Sequence, residues 1–144
     1  MAATKPNPQP ATQHGRVPVS SRIIIAGTGA EETPVWQNNL GHKVKVREAK
    51  YIPEDDVTGN DTNNFLLAVN NRGTDGAGAV VPVPAKEYDT GTDMGQFESD
   101  DLPVSATEAS LEVDVDEILT LAKTVTGSGL ALPDGVLFLE LEYV

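Results

Sequence analysis

Residues 23–32, IIIAGTGAEE, have the spacing of a phosphate cradle: an apolar run followed by Gly27 and Gly29. In a dinucleotide fold such glycines precede a helix whose free amides meet the pyrophosphate. Here Glu31 and Glu32 would stand against that phosphate, Pro34 stops a helix within a turn, and the third glycine is missing. The stretch predicts a tight turn. Carboxylates cluster at Asp55, Asp56 and Asp61 and again at Asp100 and Asp101. Calcium is held by several such oxygens, but no spacing here matches a calcium loop, so these residues read as solvated turns. A glycosidase needs two carboxylates flanking a sugar, a pairing that spacing alone does not reveal. His14 and His42 have no spaced His or Cys companion, so no zinc site is expected. The chain has no cysteine, which removes disulfides, thiolate ligands and a cysteine nucleophile. No Gly-x-Ser-x-Gly elbow occurs. Trp36 is the sole tryptophan. It suits the closure of one end of a core, a sugar-stacking platform or a partner anchor. No catalytic, cofactor-binding or metal-ligating residue is expected, which favours a structural or binding protein over an enzyme.

The elements that would position these residues are strands. Leu137, Leu139, Leu141 and Tyr143 alternate with Glu140 and Glu142 almost to the last residue, the period of a half-buried strand. Residues 22–26 form an apolar run. Residues 42–47 alternate with Val44 and Val46 inward, and the parity then shifts to Ala49 and Tyr51, which predicts a bulge or change of face. Residues 65–69 are continuously apolar and belong in the centre of a sheet. Residues 80–83 contain Pro82 and belong at an edge. Residues 89–101 form a long exposed acidic loop anchored by Phe97. The stretch 105–125 carries both helical and strand periodicity. Strand is favoured over 118–126, after a polar turn at 114–117. The sum is an all-β chain, a single jelly-roll-like β-sandwich of seven or eight strands over residues 20–144. Residues 1–19 hold four of the ten prolines (Pro6, Pro8, Pro10, Pro18) among polar residues and read as an extended arm.

Charge is distributed unevenly. Residues 1–50 carry seven of the ten Lys and Arg against three acids, whereas residues 51–144 carry three against nineteen, within a net charge of −12. An acidic body repels nucleic acid and anionic lipid, and its basic N-terminal part is drawn to acidic surfaces. The acidity also keeps the body soluble. No apolar run of about 18 residues is present to span a bilayer, and the N-terminus has no secretory h-region. Neither nucleic acid nor membrane is expected as a partner.

Two stretches carry a family resemblance. Residues 57–73, VTGNDTNNFLLAVNNRG, and residues 118–136, ILTLAKTVTGSGLALPDGV, lead to the terminal strand. In order and separation they resemble β-sandwich head proteins of tailed bacteriophages, among them the decoration or cement proteins that coat capsids. The resemblance spans residues 20–144. It departs where the family often has Ala-Gly-Asp before the penultimate strand and this chain has Asp114, Val115, Asp116 and Glu117. The resemblance implies a protein made in the host cytoplasm that binds the major capsid protein on the outer face of the virion, commonly as a homotrimer. Lys5, Pro6, Pro8, Pro10 and Arg16 of the arm, with Arg22 and Trp36, are the expected partner-binding residues. The competing expectation is a carbohydrate-binding β-sandwich using Trp36 and the Asp/Asn loops.

Overall fold

The computed structural model describes residues 15–144. Lys5, Pro6, Pro8, Pro10 and most of the expected arm lie outside the described residues. Nine strands follow in order: β1 (Arg16–Ile23), β2 (Glu31–Gln37), β3 (Val44–Pro53), β4 (Asn64–Asn71), β5 (Val80–Glu87), β6 (Asp100–Leu102), β7 (Glu112–Val113), β8 (Ile118–Thr126) and β9 (Gly135–Tyr143). A single 3-10 turn, Glu108–Leu111, precedes β7. The count exceeds the expected seven or eight because β6 and β7 are short strands laid against β3.

The chain is a long hairpin rolled onto itself. Its first half pairs antiparallel with its second: β4 with β5, β3 with β6 and β7, β2 with β8, and β1 with β9. Rolling adds β9 to β3 and β8 to β4, giving one sheet ordered β1-β9-β3-β6 and another ordered β2-β8-β4-β5. That is jelly-roll topology, an architecture shared by viral capsid domains, lectins and cupins.

Alternation supplies the interior. Leu137, Leu139 and Leu141 of β9, with Val44, Val46, Ala49 and Tyr51 of β3, face Phe65, Leu67 and Val69 of β4 and Leu119 and Leu121 of β8, all buried. Each such aliphatic side chain contributes about 1.5–3 kcal/mol on burial. The parity change in β3 is a bulge: the register against β9 shifts between Val46 and Glu48, so Val46 and Ala49 both reach the core. β4 lies inside its sheet and β5 at its edge, as continuous apolarity and Pro82 required. Residues 114–117 do turn, with Glu117 N–H donating to the Asp114 carbonyl and Asp116 at φ 71°.

Two expectations change. The body begins at Arg16, inside the span assigned to the arm, because Val17 and Val19 alternate inward and pair with Leu141 and Leu139. Pro18 is compatible with this strand. Tyr143 N–H donates to the Gly15 carbonyl, so odd residues of β1 bond to β9 and even ones, Pro18 included, face the open edge. The edge strands β2 and β5 also carry prolines, Pro34 in one and Pro82 and Pro84 in the other, which limits edge-to-edge pairing. The second change is Phe97, which anchors nothing: it is 70% exposed. The loop is held instead by buried Tyr88 and Met94.

Candidate partner-binding surface

The expected partner-binding residues that fall within the described chain are not gathered at one place. Arg16 and Arg22 lie at the two ends of β1 on the outer face. Arg16 pairs with Glu140 at 2.6 Å, and Arg22 pairs with Glu54 and lies near Asp134. Trp36 is half-buried. A bulge at Val35 shifts the register so that Trp36 stands opposite Leu119 and points inward, in a crevice with Val19 and Leu139. It closes the seam between the edge strands β1 and β2. A side chain so placed is committed at least in part to packing between the sheets.

The same neutralisation holds across the body. Of the nine Lys and Arg among the described residues, eight stand within 4.0 Å of a carboxylate. On the outer face of the β1-β9-β3 sheet, Arg47 bridges Glu142 at 2.8 Å and Glu108 at 3.0 Å. These bonds hold Glu108 below the usual carboxylate range and raise Arg47. On the other sheet Arg72 grips both carboxylate oxygens of Glu32 at 2.6 Å, and Thr120 donates to the same group. The Arg72 hydrogen bonds dominate and draw Glu32 down to about 2. The ninth cation, Lys123, is 2% exposed. Its Nζ donates to the Gly27 carbonyl at 3.2 Å and lies over the Phe65 ring, and burial lowers its pKa.

One end of the sandwich is built differently. Residues 53–61 and 89–98 contain seven carboxylates and no Lys or Arg. The two loops are fastened together. Val57 and Met94 exchange backbone hydrogen bonds of 2.9 and 3.0 Å, and Phe97 N–H donates to the Pro53 carbonyl at 2.8 Å. The carboxylates cap the backbone: Asp93 accepts from Gly59 N–H, Asp56 from Gln96 N–H and Asp61 from Thr90 N–H. Gly59 is obligatory here, since a Cβ would fall 1.9 Å from the Asp89 carbonyl oxygen. The Asp55–Asp61 region is therefore wired as turn scaffolding. Among the described residues no group of three or more His, Cys, Asp or Glu is arranged to hold a metal ion.

Beside this double loop runs an open groove of about 630 Å³. Glu54, Asp55, Asp56 and Asp134 form its rim, with Leu130 and Pro133 among its apolar lining. Tyr51 fixes one wall by donating to the Pro133 carbonyl at 2.6 Å, and its burial pushes the phenol pKa up. Tyr88 fixes the base of the loop through Asp100, which also pairs with Lys86 at 3.0 Å; burial again raises the phenol. Phe97 stands beside this groove, since Gln96 is held by Asp56 and by the Glu54 carbonyl. Sequence reading placed this loop and its acidity but missed the exposure of Phe97. An aromatic in a polar run ordinarily signals an anchor, and only the left-handed backbone at Phe97 (φ 59°) turns it outward.

No family model matches the chain, and no curated protein matches it. A weak structural neighbour is a chain in the structure of infectious bursal disease virus, Gx strain. It has a TM-score of 0.42 and 10% identity, with the match covering 99% of this chain and 37% of that one. The chain thus spans little more than a third of that neighbour's length. No helix among the described residues is long and apolar enough to cross a membrane.

Proposed function

We propose that the protein is a non-catalytic structural component of a virus particle: a decoration protein that binds the outer surface of a tailed-bacteriophage capsid and bridges neighbouring subunits of the major capsid protein. The observation that carries this reading is the way the two resembling stretches fold. Residues 57–73 and 118–136, far apart in sequence, form one block. Within it β4 pairs with β8 from Asn64–Thr126 to Asn71–Leu119. Their loops interlock, with Ser128 N–H donating to Asn63 Oδ1 at 2.8 Å and Gly127 seated where a Cβ would lie 2.2 Å from the Thr62 carbonyl oxygen. The likeness is thus to a contiguous part of a jelly roll, an architecture used in capsid domains.

The mechanism is mechanical. A rigid sandwich with its cations neutralised internally gives shape without chemistry. Residues 1–14, proline-rich and bearing Lys5, are assigned a second contact with the shell. Each copy adds a contact that must break before the shell ruptures, and repetition over the lattice multiplies modest interfaces. A homotrimer at a symmetry axis is the favoured arrangement.

The test is to mix tagged protein with purified undecorated shells of the virus that encodes it and to image the product. Regular density on the outside of the shell is expected, together with higher shell rupture temperature. Absence of density, with binding to a glycan array instead, would replace this reading with the carbohydrate-binding one.

A further inference from the structure

We infer that Phe97 and the acidic double loop around it form a docking knob for a basic protein surface that offers an apolar socket. Naming the capsid shell as the owner of that surface rests on the virion reading above; the knob itself is read from this chain alone.

Phe97 is unfavourable in two separate ways. The residue is 70% exposed, although burying an aromatic ring is strongly favourable in water. Its backbone lies at φ 59°, where glycine or asparagine fits better than a bulky residue. The surrounding structure enforces the conformation through Phe97 N–H to the Pro53 carbonyl and Glu98 N–H to the Gly95 carbonyl, at 2.8 and 3.0 Å. Strain kept in place by a rigid frame, holding an aromatic ring in solvent, is the arrangement of an anchor awaiting its socket. Ile24, 63% exposed, stands at the same end of the sandwich: Ile23 pairs with Gly135, which pairs with Pro53.

Charge selects the occupant. The loops carry carboxylates without a single Lys or Arg, and Arg22 at their border is already paired with Glu54. A second copy would bring acid against acid, because eight of the nine described cations are ion-paired and Lys123 is buried. The partner is therefore a different protein, and a cationic one. The knob also lies at the end of the sheet opposite Gly15, since the Pro53–Gly135–Ile23 row and the Val44–Tyr143 row close its two ends.

The experiment measures decoration of undecorated shells by wild type, Phe97→Ser, Phe97→Tyr and Glu98→Lys. Circular dichroism confirms that each variant is folded, and the titrations are run at low and high sodium chloride. Phe97→Ser is expected to weaken binding at least about tenfold, Phe97→Tyr to restore it, and Glu98→Lys to weaken it while flattening the salt dependence. Equal decoration by Phe97→Ser overturns the inference and leaves the virion reading standing. Failure of wild type to decorate at all overturns both. Sedimentation showing a wild-type oligomer that Phe97→Ser abolishes also overturns it, by making a second copy the occupant.

Discussion

At Phe97 stability and exposure pull in opposite directions, and the tension can be measured. Replacing it with glycine relieves a left-handed backbone and removes an exposed ring, while glycine gives back entropy to the unfolded chain. Relief of left-handed strain, about 1–3 kcal/mol, outweighs that entropy, so Phe97→Gly is expected to raise the melting temperature by a few degrees while losing attachment. A lower melting temperature would mean that the ring packs on something. Glu32 gives a second residue-scale prediction. Its carboxyl is drawn from 4.5 to about 2 by Arg72, so the folded state binds its proton less readily than the unfolded chain. The stabilisation is complete above pH 4.5 and is lost as pH falls toward 2. Because the pair is partly exposed, screening reduces its worth to about 1 kcal/mol. Glu32→Gln should cost that much at pH 7 and remove this component of the acid transition, as followed by denaturant titration across pH. Neither residue shows its role in the sequence. There Glu32 is only a charge hostile to phosphate, since a partner forty residues away, Arg72, is invisible to spacing.

Among the elements, those set by local alternation were legible and those set by long-range pairing were not. β9 was readable because leucines and glutamates alternate through it, and in the fold it is the central strand between β1 and β3. Leu139→Ala, which opens a cavity between Trp36 and Val19, should therefore cost about 2–5 kcal/mol in chemical denaturation. β1 was partly hidden: Pro18 and the prolines before it suggested an arm, and only its pairing with β9 shows that an edge strand tolerates the missing N–H. β6 and β7 have three and two residues and no periodicity of their own; they exist because β9 pairs with one edge of β3 and leaves the backbone groups of its other edge to be paired. The acidic double loop was read as solvent-exposed from its composition, yet its order comes from the bonds to Val57, Gly59 and Pro53. Gly59→Ala tests that order. The new methyl group collides with backbone at Asp89, so a loss of about 1–3 kcal/mol is expected, with faster amide exchange at Val57 and Met94 as the local readout.

For the whole molecule, the consequence of the β1 boundary is a difference between two truncations. Removing residues 1–14 leaves every described strand intact. Removing residues 1–19 also deletes half of β1, stripping the cover from Leu139 and Leu141 and exposing an unpaired side of β9 at the centre of its sheet. Each residue of β1 gives up about 1–2 kcal/mol of backbone entropy to fold, and the pairing with β9 and burial of Val17 and Val19 offset it. Without residues 16–19, the remaining four residues have little to hold them, and a bare hydrophobic strand invites association. The longer truncation should therefore aggregate or melt well below wild type. The shorter one should keep the wild-type melting temperature and spectrum. If residues 1–14 form the second attachment implied by the bridging role, this shorter form should decorate shells at least about tenfold more weakly, a loss of about 1.4 kcal/mol. Combined with Phe97→Ser it should fall further than either change alone, since two weak attachments joined through one rigid body reinforce each other. Unchanged decoration by the shorter form would assign attachment to the loop end by itself.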